Sequence, residues 1–408
     1  MSERQIACRS CGYQELQSFL SLGRTPLANA LLTEDKLGDP EETYPLELVF
    51  CSQCTLVQLT ESISPEKLFR DYVYFSSFSE TMLDHAEALS SALIGSKNLG
   101  AQSLVIEVAS NDGYLLQTYQ REGVPVLGIE PATNIARVAA QRDIRTINDF
   151  FGETLAQQLV EDGYKADVIH ANNVLAHVPD LNGFVRGICD LLKPDGVVVV
   201  EVPYVYEMIT NCEFDTVYHE HLSYFSLAAL NELFTRNALT IHRVERLTIH
   251  GGTLRFYAGH AGEQDQSVIG LLTDEKRYGL ENFEFYKGFG ERVETLRAEL
   301  GALLYGLKER GARIAAYGAS AKGATLLNYC RLGREVLDYV VDRSTVKQGL
   351  YTPGSHLKIY APEKLLEDAP DYVLLLTWNF AGEIYEQQVE YRKRGGLFIV
   401  PVPFVRVV

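Results

Sequence analysis

The sequence of 408 residues lacks any apolar run close to the roughly 20 residues that a membrane-spanning helix needs. Its apolar stretches, of which GVVVVEVPY at 196–204 is an example, are much shorter. The start of the chain, MSERQIACRS, also lacks the apolar core of a secretory signal. These absences predict a protein with no membrane partner, and we expect it to be cytoplasmic.

Basic residues are scarce: 37 Lys and Arg stand against 54 Asp and Glu, which gives a net charge of −17. No basic stripe is evident, so the phosphate backbone of a nucleic acid polymer would be repelled, and we expect no such partner. Hydrophobic residues make up 46% of the chain, enough for proper cores. The length indicates two or three domains at roughly 100–200 residues each. The oligomeric state stays open, and a monomer is compatible with the sequence.

Cysteine is also limited, with seven in the chain, and four of these form two C-x-x-C pairs. Cys8 and Cys11 make the first pair, and Cys51 and Cys54 make the second. Two such pairs supply the closed Cys₄ set of a structural zinc site. The segment 12–50 is longer than the usual gap, so it must hold an inserted hairpin or loop. Two redox pairs, or unrelated thiols, are the alternatives.

The middle of the chain has the pattern of a doubly wound α/β domain. Residues 103–113, SLVIEVASNDG, predict a buried strand that runs into a turn, and a helical pattern follows. The next strand ends at Glu130, where an acid hydrogen-bonds ribose hydroxyls in such folds. The first turn lacks the glycine-rich pyrophosphate cradle that NAD needs.

A second βαβ pattern lies near the C-terminus, beyond a linker at about 258–300 that begins polar and glycine-rich and that we expect to become a long amphipathic helix. The motif YGASAKG, at 317–323, is a near match to the dinucleotide fingerprint, and a strand ending at an acid follows it. The motif is compatible with NAD, with another nucleotide, with a phosphate at the helix N-terminus, or with packing alone. The residues expected at this ligand edge are Ser320, Lys322, Asp342 and Asn379.

The stretch VYHEHLSYFS, at 217–226, concentrates histidine, glutamate and tyrosine beyond the fifth strand of the middle domain. On a strand, His219 and His221 would share one face, but no third metal ligand at familiar spacing is evident. A purely structural role is the second alternative. General acid/base catalysis is the third, because a histidine near pKa 6.5 can take a proton while a tyrosine stabilises an oxyanion.

The middle domain resembles the class I S-adenosylmethionine (SAM) methyltransferases. Ala109 and Asn111 replace two glycines of the usual first motif of that class. The resemblance implies contacts to SAM from the first motif, the ribose acid, the adenine contact and nearby residues. These residues are Tyr72, Glu107, Ser110, Asn111, Gly113, Tyr114, Glu130, Asp149, Phe150, Asn172 and Asn173.

The cysteine quartet, EVASNDGYLL, NVLAHV, DTVYHEHLSYFS and YGASAKGATLLN together are similar to the sugar C-methyltransferases of deoxysugar biosynthesis. That family methylates C-3′ of nucleotide-linked 4-keto-6-deoxy sugars. The resemblance implies that His221 is the base, that Tyr218 and Glu220 hold or polarise the ketone, and that His177 lines the same pocket. It further implies that Tyr72 and Tyr74 close over the ligands, and that the motif at 317–323 cradles the diphosphate.

The expected fold is therefore α/β with three domains: a zinc-binding domain at 1–70, a SAM-binding domain at 71–258 and a nucleotide-binding α/β domain at 259–408. The expected cofactors are SAM and a structural Zn²⁺, and the expected substrate is a nucleotide-diphosphate sugar. Two other interpretations compete with this one. They are an NAD-dependent oxidoreductase acting on a nucleotide sugar and a non-catalytic nucleotide-sugar-binding zinc protein.

Overall fold

The computed structural model describes residues 6–70, 72, 75–260 and 262–408, and Tyr74 lies outside this set. The described chain is α/β, with a small N-terminal sheet, a larger middle sheet and a C-terminal sheet. Within these residues, no helix combines the length and apolarity that crossing a membrane requires.

The N-terminal unit is an antiparallel sheet whose last strand comes from a distant part of the chain. Its order is β1-β2-β3-β9, with α1 following β3. The elements are β1 Gln17–Thr25, β2 Tyr44–Phe50, β3 Val57–Leu59, α1 Pro65–Phe69 and β9 Ser223–Tyr224. The long segment between the two cysteine pairs thus holds the antiparallel pair β1–β2.

The middle unit is a seven-stranded sheet in the order β10-β11-β8-β7-β4-β5-β6. Strands β4 to β8 are parallel, and β11 and β10 add an antiparallel edge. The elements are α2 Glu80–Lys97, β4 Val105–Val108, α3 Leu116–Arg121, β5 Val126–Ile129, α4 Thr133–Gln141, β6 Thr146–Ile147, α5 Glu153–Glu161, β7 Ala166–Asn172, α6 Leu181–Leu191, β8 Leu192–Pro203, α7 Val205–Thr210, α8 Leu227–Arg236, β10 Thr240–Leu247 and β11 Thr253–Gly259. The strand order reverses between β4 and β7, the point at which such sheets bind ligands.

The expected long helix is present as α11 Phe289–Glu309, and two shorter helices that the sequence did not predict precede it, α9 Gln266–Tyr278 and α10 Phe283–Lys287. Gly279 ends α9 in the left-handed conformation (φ +83°), which a residue without Cβ adopts at little cost. Gly288 separates α10 from α11.

The C-terminal sheet has the order β14-β13-β12-β15-β16-β17, parallel except for β17 at its edge. The elements are β12 Ile314–Tyr317, α12 Ala321–Cys330, β13 Val340–Val341, β14 Ile359–Tyr360, α13 Lys364–Asp368, β15 Tyr372–Leu375, α14 Ala381–Gln387, α15 Val389–Lys393, β16 Leu397–Val400 and β17 Arg406–Val407. Its order reverses between β12 and β15, so this unit repeats the ligand-edge geometry of the middle unit.

The three units share one continuous cluster of buried apolar side chains, which extends from Cys8 to Val402. Strand β9 belongs to the N-terminal sheet although it lies at 223–224, so the units interlock. The domain limits 1–70, 71–258 and 259–408 remain a proposal.

Candidate active site and zinc centre

The four cysteines expected to bind zinc lie together in the N-terminal unit. The Sγ atoms of Cys8 and Cys54 are 3.4 Å apart, and those of Cys11 and Cys51 are 3.5 Å apart. All four sulfurs lie within 4.8 Å of one another. A tetrahedral zinc with bonds of about 2.3 Å separates its sulfurs by about 3.8 Å, so the cluster fits the ion.

The two cysteine pairs are built as equivalent turns. Gly12 donates its N–H to the carbonyl of Cys8, and Thr55 donates to the carbonyl of Cys51, each at 2.9 Å. Both donors are in the left-handed conformation, with φ of +78° and +59°. Each turn therefore curls its two thiols toward the same side, which a shared metal requires.

Strand β3 connects this centre to the histidine-rich turn. It pairs antiparallel with β9, and Leu59 donates its N–H to the carbonyl of Leu222 at 2.9 Å. The buried amide of Gln58 accepts from the N–H of Arg9 at 2.8 Å and donates to the carbonyl of Ala7 at 3.1 Å. The first cysteine turn is thus tied to the strand that holds residues 222–224.

A cavity of about 960 Å³ lies where the three units meet. This volume is at the upper end of the range of ligand sites, so it has room for a cofactor and a second ligand. Of the expected site residues, those that line it are Tyr72, Asn111, Tyr114, Glu130, Phe150, Asn172, Asn173, His177, Tyr218, His221, Ser320, Lys322, Asp342 and Asn379.

Glu130 organises the part of the cavity at the ends of β4 and β5. Its carboxylate accepts the N–H of Asn111 at 2.9 Å and the N–H of Ala132 at 2.8 Å. Burial raises the pKa of Glu130 to about 7. Nearby, Asn172 has a buried Oδ1 without a hydrogen-bond partner among the described residues. An acid and an unsatisfied amide oxygen at the cavity wall fit the ribose and amino groups of SAM.

Ala109 and Asn111 both have a backbone conformation that glycine adopts readily. Their φ values are +55° and +49°, in the left-handed region that disfavours residues with a Cβ. Asn tolerates this region better than most residues, whereas Ala does not. The two positions where this chain departs from the usual glycines are therefore positions where the backbone conformation favours glycine.

Four of the expected SAM contacts are not among the described residues that line the cavity. Glu107 is fully buried within β4, and Ser110 packs against Gly128 of β5. Gly113 has φ of +80°, and a Cβ there would lie 2.8 Å from Ile144. Asp149 is exposed and accepts the N–H of Phe150 at 2.8 Å, so the ring, rather than the acid, faces the cavity.

The segment with the two histidines is a turn, so the expectation that His219 and His221 would share one face of a strand is wrong. His221 donates its backbone N–H to the carbonyl of Tyr218 at 2.9 Å, which brings these two side chains together toward the cavity. His219 points the other way and donates Nε2–H to the carbonyl of Pro45 at 3.1 Å.

The hydrogen bonds of the two cavity histidines define their tautomers. Nδ1–H of His221 donates to the carbonyl of Thr216 at 3.0 Å, so Nε2 accepts the hydroxyl of Tyr218 at 2.8 Å. Nδ1–H of His177 donates to the carbonyl of Glu220 at 2.8 Å. Burial lowers the pKa of His177 to about 4, so its ring stays neutral. His221 therefore presents a proton acceptor at the cavity wall.

Glu220 is not among the described residues that line the cavity. Its carboxylate accepts Nδ2–H of Asn29 at 2.6 Å and the hydroxyl of Tyr72 at 3.0 Å. Burial raises the pKa of Glu220 to about 7. These contacts connect Asn29 of the N-terminal unit to Tyr72, and both of those residues line the cavity although Glu220 does not.

The C-terminal wall of the cavity repeats the Glu130 arrangement. Asp342 accepts the N–H of Ala319 at 2.7 Å and the N–H of Ser344 at 2.8 Å. In both units, the acid after the second strand binds the loop after the first strand and the amide two residues further on.

The sequence interpretation missed Lys347, which is only 9% exposed and lines the cavity. Its ammonium donates to the carbonyl of Ala319 at 2.8 Å. It also missed Asn29 and Arg343 in the lining. No local pattern marks these residues, since only the meeting of distant segments places them at the site.

Each of the three units of this chain matches a known protein family profile. The family profiles that match are a zinc binding domain at 8–69, a methyltransferase domain at 62–244 and a C-methyltransferase C-terminal domain at 248–403. The C-methyltransferase NovU of Streptomyces niveus is 36% identical over 404 residues, which cover 98% of this chain and 96% of that relative. The chain belongs to the C-methyltransferase family.

More distant relatives match only part of this C-methyltransferase. A ubiquinone biosynthesis O-methyltransferase of Methylobacterium nodulans is 34% identical over 95 residues, which cover 23% of this chain and 38% of that relative. The solved magnesium protoporphyrin IX methyltransferase of Synechocystis PCC 6803 is 15% identical, with a TM-score of 0.34. That comparison covers 44% of this chain and 79% of the other.

The expected enzyme class and cofactors are thus confirmed: the protein is a SAM-dependent C-methyltransferase with a zinc-binding N-terminal domain. The individual catalytic and binding residues remain predictions.

Replacing one zinc ligand should remove the metal and loosen the N-terminal unit. We expect Cys8→Ser to lower zinc content and to lower the free energy of unfolding by several kcal/mol, because metal binding and folding are coupled. Metal analysis and thermal melting measure both. Cys189→Ser, outside the cluster, is the control and should keep its zinc. A stably folded, metal-free Cys8→Ser protein would contradict a structural role.

Ala109→Gly should stabilise the enzyme by about 0.5 kcal/mol. The left-handed conformation costs an L-residue about 1–2 kcal/mol, and the greater freedom of glycine in the unfolded chain offsets part of that gain. Ala88→Gly, at an exposed position of α2, is the control and should cost about 1 kcal/mol. Denaturant unfolding measures the free energy of unfolding of both variants. If Ala109→Gly lowers it as much as Ala88→Gly does, Ala109 is not strained.

The raised pKa of Glu220 predicts a pH-dependent stability. Its folded pKa of about 7 exceeds an unfolded value of about 4.3, so its contribution is complete below pH 4.3 and is lost as the pH rises through 7. Glu220→Gln stays neutral. Its melting temperature should therefore rise relative to the wild type between about pH 5 and about pH 8. Glu299→Gln replaces an exposed carboxyl and is the control; the same trend in both variants would refute the assignment.

Proposed function

We propose that this C-methyltransferase transfers a methyl group from SAM to C-3′ of a nucleotide-linked 4-keto-6-deoxysugar. One observation carries the proposal. A single cavity joins the loop around Glu130, the Tyr218–His221 pair and the ligand edge of the C-terminal sheet. A cofactor, a reacting carbon and a nucleotide can therefore occupy one continuous space.

Methylation at carbon needs a carbon nucleophile. A C–H bond next to a ketone can be ionised by a side-chain base, because the negative charge moves onto the carbonyl oxygen. When bound, SAM supplies the electrophilic methyl group that the resulting enolate carbon attacks. The neutral imidazole and the hydroxyl that face the cavity match these two needs.

His221 and Tyr218 have different roles in this proton transfer. The ketone takes over the hydrogen bond of the Tyr218 hydroxyl, which frees Nε2 of His221. Nε2 then accepts the C-3′ proton, and the electron pair of the broken C–H bond forms the enolate, whose oxygen Tyr218 stabilises. The carbonyl of Thr216 keeps Nδ1 protonated and stabilises the imidazolium. His177 lies at 4.9 Å from His221, ring centre to ring centre, and borders the sugar.

The opposite end of the cavity suits a nucleoside diphosphate. Lys322, Arg343 and Lys347 line it in a protein whose net charge is −17. Ser320 caps the N-terminus of α12, which adds the positive end of the helix dipole. Asp342 stands where an acid binds ribose hydroxyls in such folds.

Substitution of the proposed base separates catalysis from binding. We expect His221→Asn to lower kcat at least about 100-fold, because general base catalysis typically contributes that much or more. Binding of S-adenosylhomocysteine should be unchanged. His219→Asn is the matched control: it removes a hydrogen bond to the N-terminal unit, so it should lower stability and leave kcat near that of the wild type.

The substrate class is tested by incubating the enzyme and SAM with a panel of nucleotide-linked 4-ketosugars. Mass spectrometry should show a product heavier by one CH₂, and NMR should place the methyl group at C-3′. In D₂O with S-adenosylhomocysteine, the wild type should exchange the C-3′ hydrogen and His221→Asn should not. Methylation at oxygen, or exchange that persists in the variant, would overturn the proposal.

A further inference from the structure

Asp215 lies between the two ends of the cavity and belongs to neither. It sits in a short 3₁₀ turn at 214–216 and is fully buried. Its Oδ2 accepts Nε1–H of Trp378 at 2.6 Å, and its Oδ1 has no hydrogen-bond partner among the described residues. A buried carboxylate with one oxygen unsatisfied costs stability, so its presence calls for a role beyond packing.

On one side, Asp215 supports the nucleotide end. The ring of Trp378 lies beneath Lys322, whose Nζ is 4.9 Å from the ring centre. Burial raises the pKa of Asp215, and the charge of Lys322 and the hydrogen bond from Trp378 oppose that rise. The carboxylate, the indole and the ammonium therefore act on one another electrostatically.

On the other side, Asp215 adjoins the proton-transferring pair. The next residue, Thr216, accepts Nδ1–H of His221 at 3.0 Å. The residue after that, Val217, accepts the hydroxyl of Thr325 at 3.1 Å. Since Thr325 is on α12, whose first turn carries Lys322, the same backbone segment is held by the helix of the nucleotide end.

We propose that Asp215 is a positioning residue that holds the nucleotide end and the proton-transferring end of the cavity in register. It anchors Trp378 beneath Lys322 through its side chain, and it fixes the carbonyl that orients His221 through its backbone. The inference rests on the proposed nucleotide-linked substrate. It adds that binding of the distant diphosphate improves the geometry of the base.

The kinetic test uses variants that break or keep the indole–carboxylate contact. Trp378→Phe keeps a ring beneath Lys322 and removes the N–H, while Asp215→Ala removes the acceptor. Each should lower kcat about tenfold per active site, counted by S-adenosylhomocysteine binding, with the KM for SAM unchanged. The double variant should be no slower than the slower single variant, since both act through one contact.

The conservative variant Asp215→Asn separates positioning from folding. Its amide oxygen can still accept the indole N–H, so it should retain at least half of the wild-type kcat, and it keeps the test available if another variant fails to fold. Wild-type kcat in folded Asp215→Ala and Trp378→Phe would overturn the inference. So would additive losses in the double variant, or an equal loss in Asp215→Asn.

The sequence offers a direct optical probe, because Trp378 is its single tryptophan. UDP, dTDP, GDP, CDP and ADP are titrated while the emission of Trp378 is followed. At least one should change the emission of the wild type, and Asp215→Ala should lose that response. The inference would be contradicted if none of the five nucleoside diphosphates changed the emission of the wild type, or if the emission of Asp215→Ala changed to the same extent.

The two measurements keep the two proposals apart. If the wild type methylates no nucleotide-linked ketone, the proposed function fails. The titration of Trp378 emission then tests the positioning role of Asp215 by itself. If methylation occurs with unchanged kcat in the folded Asp215→Ala and Trp378→Phe enzymes, the proposed function stands and the inference fails.

Discussion

The antiparallel pairing of β3 with β9 is the contact on which the rest of the active site depends. Strand β3 leaves the second cysteine turn, and β9 begins two residues after His221. The pairing fixes the backbone just beyond the turn, while the hydrogen bonds of Glu220 and His219 fix it within the turn. The zinc-binding cysteines stabilise the N-terminal unit, because metal binding and folding are coupled, and this unit fixes the turn that carries Tyr218 and His221.

The two α/β units share one arrangement, in which an acid after the second strand accepts two backbone N–H groups. Glu130 and Asp342 each bridge the loop after a first strand and the amide two residues further along. Glu130 is buried and Asp342 is half-buried, so each carboxylate needs donors to offset its lost hydration, and the backbone amides supply them while they fix the loop. Both acids line the cavity, so the same arrangement of acid and loop occurs on two of its walls.

The sequence predicted the features for which residue type and short spacing are sufficient. The cysteine spacing predicted the metal cluster, and the run of apolar residues into Glu130 or Asp342 predicted both ligand edges. The expectation of a strand at 217–222 was wrong, because these residues form a turn. The long linker helix is present as α11, and the sequence missed the two helices before it, the first of which ends where Gly279 takes the left-handed conformation.

The sequence by itself determined the fold class and the cysteine cluster of the zinc site, and it singled out the residues that we propose to move a proton. Those features follow from residue type and short spacing, which act over a few residues. Only the tertiary structure decided that Tyr218 and His221 share one side of the turn, that Glu220 binds Asn29, and that Lys347 reaches the cavity. The contact of Glu220 with Asn29 and the place of Lys347 at the cavity join segments far apart in the chain, and Tyr218 and His221 meet because of a turn that packing between the units holds in place. A shared cluster of buried apolar side chains connects those units.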